Sequence, residues 1–357
     1  MSYTVIEFVD EEKYIMEFLN LPGRLYKKNE LMQNCKEELA VLTGSHTLSH
    51  YFHIHRLLAV DENERAVGRA VLTIYENDST AYLGFYESED NQKVCNLLLK
   101  KAEELAAGEN CRTVTGPVDA SFWIRYRFKT NHFGQPYTGE PYNKDYYVKL
   151  WQAAGYQCTE SYYSNSYRIV EKGHCSEKFS KRLKEKEAKG YVIKSPKHNN
   201  FSSALGEVYD LLIELYRSFP VYKYISKEEF FSQYGYLKKL LRYRMVKMAY
   251  YKKQPVGFFI SIPDYGNTVY GKLSALDILK YIITRVKPKK YVMLYMGVDS
   301  SHRGLGKALA ESIKEELEEQ HTPSIGALIR KGNINRDYFK ELIDQEYEYV
   351  LLKKDLA

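Results

Sequence analysis

Hydrophobic and polar positions alternate along this chain with two periods, one near two residues and one near 3.6. The switches between them divide it into elements. In the first half, residues 11–19 carry helical spacing. Residues 55–60 and 66–75 alternate as strands around the polar turn Asp61-Glu62-Asn63-Glu64. Residues 81–86 give a third strand. Val94, Leu97, Leu98 and Leu105 then place an apolar stripe on a helix over 91–107, which Gly108 ends. A short strand at 113–115 runs into Gly116-Pro117, and a long loop follows over 121–142. Asn143 and Gly155 bracket a helix over 143–154. Residues 160–170 read as a closing strand.

The stretch 176–190 is charged, with Phe179 and Leu183 as its main apolar residues, and predicts a connecting helix. Glu185 and Glu187 interleave with its lysines and dilute the field that a nucleic-acid-binding arm needs. The domain boundary is placed here, giving units 1–175 and 176–357. The second half then repeats the order of the first. It predicts a strand at 191–194, helices at 205–217 and 227–241, and a hairpin of 245–251 with 256–262. A strand at 291–298, a helix at 304–320, a strand at 324–329, a helix at 335–343 and a strand at 347–352 complete it. The shared order points to internal duplication of one mixed α/β fold.

Composition adds limits. A chain of 357 residues exceeds one ordinary core, and 44% hydrophobic with 27% charged residues suits a globular protein. Tyrosine is abundant, at 34, and suits half-buried strands and amphipathic pockets. No stretch approaches the roughly 18 apolar residues of a membrane span. Residues 1–10 lack a basic leader followed by an apolar run, so no secretion signal is expected. Cys35, Cys95, Cys111, Cys158 and Cys175 are scattered without CxxC spacing. They suggest neither a disulfide framework nor a zinc site, and the expected location is cytoplasmic. His53 and His55 share a strand face but have no sequence-adjacent carboxylate or cysteine, so no metal site is expected there. Charge is uneven. Residues 1–175 hold 19 Lys+Arg and 24 Asp+Glu (−5), and residues 176–357 hold 33 and 22 (+11), which sum to the +6 of the chain. The basic half would attract a polyanion, whether nucleotide, nucleic acid or membrane surface.

The informative segment is 291–309, YVMLYMGVDSSHRGLGKAL. An apolar strand enters a turn containing Arg303-Gly304-Leu305-Gly306-Lys307-Ala308, and a long helix leaves directly from it. Glycines allow close approach of the backbone to a ligand. The first helical turn offers unpaired N–H groups and the positive dipole end, and Arg303 and Lys307 add charge. This is an anion site suited to a diphosphate. It is not a Walker loop, since no GKS or GKT follows the required spacing. It is not a dinucleotide fingerprint, since the third glycine is absent.

The strand, the Arg303-x-x-Gly306-x-Ala308 turn and the helix resemble motif A of the GNAT acyltransferases. The resemblance implies two GNAT-like lobes, each a mixed, mostly antiparallel sheet flanked by helices, with acetyl-CoA or another acyl-CoA as cosubstrate and no metal. It implies pantetheine contacts for Met296, Gly297 and Val298. His302, Arg303, Gly304, Leu305, Gly306, Lys307 and Ala308 would surround the pyrophosphate, and Asn335 would face the pantetheine. Further segments resemble bacterial tandem-GNAT proteins, a group that includes ceramide synthase-like N-acyltransferases. Among them are Pro22-Gly23-Arg24-Leu25-Tyr26, Tyr142-Asn143-Lys144-Asp145-Tyr146-Tyr147, Phe219-Pro220 and Pro255-Val256-Gly257-Phe258. The first lobe departs from the CoA pattern. After its third strand come Glu87, Glu89 and Asp90 and no glycine, and like charges there oppose a pyrophosphate.

Transfer of an acyl group from a thioester to an amine needs a neutral amine, a polarised carbonyl and a proton for the leaving thiolate. The resemblance points to the Val298 amide for the carbonyl and to Tyr338 for the proton. Asp264 and Asp145 are candidates for the general base. The loop 121–142 carries Phe122, Trp123, Tyr126, Phe128, Phe133, Tyr137 and Tyr142 between Arg125, Arg127 and Lys129. It is expected either to line the acceptor or acyl pocket or to clamp the lobes. The expected acceptor is a small-molecule amine. An acyl carrier protein as donor, a long acyl chain, a tRNA-dependent transfer and a non-catalytic acyl-CoA sensor are the alternatives. Peripheral membrane contact also stays open.

Overall fold

The computed structural model describes residues 2–174, 176–271 and 274–356; Cys175 lies outside the described residues. The first half contains β1 (Thr4–Phe8), α1 (Glu12–Leu25), α2 (Cys35–Leu42), β2 (Phe52–Val60), β3 (Ala66–Tyr75), β4 (Thr80–Ser88), α3 (Gln92–Gly108), β5 (Thr113–Gly116), β6 (Phe128–Lys129), α4 (Tyr147–Ala153) and β7 (Gln157–Tyr167). The second contains α5 (Glu177–Ala188), β8 (Tyr191–Lys194), α6 (Phe201–Tyr216), α7 (Lys227–Tyr234), α8 (Leu237–Leu240), β9 (Val246–Tyr251), β10 (Gln254–Pro263), α9 (Ala275–Val286), β11 (Tyr291–Val298), α10 (Leu305–Gln320), β12 (Ser324–Arg330) and β13 (Ile343–Asp355).

The strands form one continuous sheet in the order β1-β2-β3-β4-β5-β13-β7-β12-β11-β10-β9-β8, with β6 on β13. Within it β4–β5 and β11–β12 pair in parallel and the other strand pairs are antiparallel. The centre of the sheet is an exchange. β13, from the end of the chain, pairs with β5 of the first half, and β7 of the first half pairs with β12 of the second. Each half therefore completes the other's sheet. α3 packs on one face of the first half and α1 and α2 on the other. In the second half α10 and α5 cover one face, and α6 and α7 cover the other together with the aromatic loop. No helix among the described residues is long and apolar enough to cross a membrane.

The structure corrects several predicted elements. The helix expected over 335–343 is two short 3₁₀ turns, Ile334–Asp337 and Lys340–Leu342. Phe339, at φ +49°, lies between them and interrupts any helix. The helix expected from Asn143 starts at Tyr147, because the Asn143 side chain is committed elsewhere: Oδ1 accepts from Lys129 N, and Nδ2 donates to Lys129 O and Lys144 O. The helix expected over 227–241 divides at Gly235 into α7 and α8. β1, α2 and α9 lie in stretches where the sequence reading placed no element.

Candidate active site

β11 and β12 pair only at Tyr291, Val292 and Met293, opposite Ser324, Ile325 and Gly326, and then diverge. A bulge at Leu294 interrupts the β10–β11 register just before the gap opens. Asp299 N donates to Val256 O at 3.0 Å, so 256/299 is a hydrogen-bonded pair. The antiparallel alternation then turns the N–H and C=O of Val298 and Met296 away from β10 and toward the gap. Their main-chain groups form an open polar edge.

The gap leads into a cavity of about 560 Å³ lined from both halves of the chain. At one end lies the turn into α10. Gly304 caps the helix at φ +81°, in the left-handed region that favours glycine, and the Arg182 side chain lies 3.1 Å from where a Cβ would stand. Leu305 N donates to His302 O at 3.1 Å. The amides of Gly304, Gly306 and Lys307 have no acceptor among the described residues, as expected in a first helical turn. Burial, then Lys178 and Arg182, hold the Lys307 ammonium below its ordinary value. Those two residues, on α5, bring the turn two more cations. Sequence reading missed both, because they sit in a helix that reads as solvated.

Tyr338 reaches the same place from beyond β12. Its hydroxyl lies 3.2 Å from the position a Cβ on Gly306 would take, with Met296 Cε and Val298 Cγ2 at 3.7 and 3.9 Å. Its ring packs edge-on against Phe179, and burial pushes its phenol up. Met296, Gly297, Val298, His302, Arg303, Gly304, Gly306, Asn335 and Tyr338 all line the cavity. Leu305 and Ala308 face the core behind the turn. The His302 ring is drawn aside, with Nδ1 2.8 Å from the Tyr191 hydroxyl.

The two proposed bases lie elsewhere. Asp264 Oδ1 accepts from Thr138 N at 3.0 Å, Thr138 Oγ1 at 3.2 Å and Gly266 N at 2.9 Å, which ties the aromatic loop to the end of β10. Asp145 is exposed, and neither residue lines the cavity. The one carboxylate among the described lining residues is Asp299, held low chiefly by hydrogen bonds from Ser301.

The other end of the cavity belongs to the loop 121–142, represented there by Phe122, Trp123, Tyr126 and Arg127 facing Tyr216, Tyr234 and Tyr295. The loop is anchored on the exchanged strand. Lys129 and Glu140 form a buried ion pair at 2.6 Å, and Tyr349 of β13 donates to the same carboxylate at 2.6 Å. It thus both lines the pocket and clamps the halves together.

The equivalent gap in the first half is filled. β4 and β5 pair only from Thr80 to Tyr82, as β11 and β12 do at their start. Here the chain itself enters the space: Val118 N donates to Leu83 O at 2.9 Å, and Asp119 Oδ1 accepts from Phe85 N. A Cβ on Gly84 would lie 1.9 Å from Val118 O. Glu87, expected in the turn, is buried on β4 and accepts from Tyr26 and Tyr147 at 2.8 and 2.7 Å. Far from the cavity, His53 and His55 meet Glu109, at the end of α3, at 3.3 and 3.4 Å. Sequence spacing did not reveal that carboxylate.

No family model matches the sequence, and no curated protein is significantly similar to it. Solved structures match across the whole chain. A tandem GNAT protein from the clavulanic acid biosynthesis pathway is 11% identical with a TM-score of 0.54, covering 100% of this chain and 99% of its own. A GCN5-related glucosamine N-acetyltransferase region of a fungal multi-domain GH3 β-N-acetylglucosaminidase is 12% identical with a TM-score of 0.54, covering 99% of this chain and 38% of its own. A probable N-acyltransferase from Enterococcus faecalis V583 is 11% identical with a TM-score of 0.50, covering 100% and 73%. This chain has the two-lobed GNAT fold.

Proposed function

We propose that the protein is an N-acyltransferase that moves an acyl group, most simply acetyl, from acyl-CoA directly to an amine. The observation that carries this reading is the continuous path of unpaired main-chain groups. It runs from the open edge at Met296 and Val298 to the free amides of Gly304, Gly306 and Lys307, with Lys178, Arg182, Arg303 and Lys307 around its end. An extended amide-bearing arm suits the edge, and a diphosphate suits the turn.

In the transfer, the neutral amine attacks the thioester carbon and a C–N bond forms. The Val298 N–H stabilises the oxyanion. As the C–S bond breaks, Tyr338, kept protonated by burial, gives its proton to the thiolate, and the proton lost by the amine returns to the tyrosine through solvent. With Asp299 the one carboxylate among the described lining residues, the amine enters as the free base. That scarcity of bases also favours a second reading, an acyl-CoA-binding module without turnover.

Calorimetric titration of CoA and acetyl-CoA into wild type and Gly306→Trp tests the turn. Saturable binding lost in the variant supports it, and binding retained in a folded variant sinks it. Release of free thiol from acetyl-CoA with a panel of amines then separates enzyme from binding module.

A further inference from the structure

The far end of the cavity holds a charge that no carboxylate among the described residues answers. Arg127 is 9% exposed, and its guanidinium is sandwiched between the rings of Tyr126 and Tyr162 at 3.7 and 4.0 Å. It donates to the Tyr126 hydroxyl, but its Nε is buried with no acceptor among the described residues. No carboxylate pairs with it among the described residues. Those nearby are engaged: Glu160 with Arg330 at 2.7 and 2.8 Å, Asp119 with Arg125 at 2.6 Å, and Glu140 with Lys129 at 2.6 Å. Guanidinium does not escape by losing its proton, and a buried cation without a counter-charge is unfavourable. The main chain nevertheless holds it there at φ +93°, outside the comfortable range of a side-chain-bearing residue.

We propose that Arg127 is the binding site for a carboxylate on the acceptor, so that the acceptor is an apolar amino acid or a close relative. The inference rests on the acyl-transfer reading. A single guanidinium ringed by phenols suits a monoanion, whereas the four cations at the α10 turn suit phosphates. Phe122, Trp123, Tyr216 and Phe219 would enclose the apolar side chain. Arg127 lines the same cavity as Tyr295 and Val298 of β11, so a carboxylate held by it shares that space with the open edge.

Calorimetry with L-phenylalanine and L-leucine, each beside its amide and its decarboxylated amine, tests this. Wild type is expected to bind at least one free acid tenfold or more tightly than both of its carboxylate-free counterparts. Arg127→Gln should erase that difference while CoA binding and thermal unfolding stay near wild type. Equal binding of the acid and its carboxylate-free forms, no binding of either acid, or a preference that survives Arg127→Gln overturns the proposal. Should Arg127→Gln not fold, Arg127→Met replaces it, and an undiminished preference there overturns the proposal. Loss of CoA binding with the acid preference intact would sink the acyl-transfer reading and leave the carboxylate site standing.

A separate observation concerns α9, which is turned inside out. Leu276, Ile278, Leu279, Ile282, Ile283 and Val286 are 47–70% exposed. At 3.6 residues per turn they make one continuous apolar face. The polar side faces the protein: Tyr281 donates to Lys239 O at 2.6 Å and stacks on Tyr265. Lys280 and Arg285 stand on the helix, Lys287, Lys289 and Lys290 follow its end in the chain, and Arg242 donates to Val286 O at 2.6 Å. The carboxylate on the helix, Asp277, is taken up by Ser274. We infer that α9 lies on an anionic lipid surface, its apolar face among acyl chains and its basic rim among headgroups. The protein should float with phosphatidylcholine vesicles containing phosphatidylglycerol and much less with phosphatidylcholine alone. Salt, or Leu279→Glu with Ile283→Glu, should release it. Absence of vesicle binding, or sedimentation showing a vesicle-free dimer that the same substitutions dissolve, overturns the inference.

Discussion

Gly306→Ala should move folding and ligand binding in opposite directions. Gly306 is the second residue of α10 and does not have a positive φ, so alanine adopts its backbone freely. The added methyl would make ordinary contacts with Met296 and Val298 at 3.7 and 3.9 Å. At 3.2 Å from the Tyr338 hydroxyl it asks only the end of one side chain to yield by a few tenths of an ångström. Reduced freedom in the unfolded chain stabilises such a replacement by about 0.4–1 kcal/mol. The methyl also stands beside the amide that is expected to meet the diphosphate. Losing one hydrogen bond to a charged group costs about 1.5–3 kcal/mol, which weakens binding by a factor of about 10–150. Urea unfolding measures the first effect and calorimetry with CoA the second. A variant that folds as well as wild type and binds CoA equally well would refute the placement of the diphosphate. A variant that unfolds would refute the packing argument instead.

Tyr338→Phe should lower kcat by about 100- to 10,000-fold, the usual range for a lost general acid, and leave CoA affinity nearly unchanged in steady-state and binding measurements. Gly84→Ala should destabilise the protein by more than about 4 kcal/mol in urea unfolding, because the new Cβ meets main chain that cannot yield, at 1.9 Å from Val118 O. Lys307 in the free protein is depressed below the ordinary lysine value by burial, Lys178 and Arg182. The free protein should therefore gain stability as pH climbs from that depressed value toward 10.5, and saturating CoA should remove the rise. In the window between that depressed value and 10.5 CoA binding should take up protons, seen as a dependence of the calorimetric heat on buffer, and Lys307→Met should abolish it.

The α10 turn was legible because its signal is local: the apolar strand, the glycines and the helix stand in one window, and Arg303 and Lys307 lie inside it. The parts brought by tertiary structure were not. Lys178 and Arg182 belong to a helix whose sequence reads as charged surface, and only its packing on α10 carries them to the anion site. Arg127 stood out as one cation in an aromatic loop, but its want of a partner appears only when the neighbouring carboxylates are seen to be engaged. The bases failed for a related reason. Asp264 has the right chemistry, but three donors from Thr138 and Gly266 occupy it. α9 carries helical spacing, yet amphipathicity alone does not say which face meets the protein.

The strand exchange decides what a half of this molecule can do. β13 reads from sequence as a final strand of the second half, and its hydrophobic alternation is the same whichever neighbours it has. In the fold it lies between β5 and β7, so the anchor of the aromatic loop, Tyr349 with Glu140, spans the two halves. Residues 176–357 alone would keep the α10 turn but lose β7 beside β12, and with it the support for one lip of the open gap. They would also lose Phe122, Trp123 and Arg127 from the far wall of the cavity. The first half, with its own gap filled by Val118 and Asp119, contributes that wall. One lobe has closed its cleft around its own chain and now shapes the cleft of the other, so a complete cavity requires both halves.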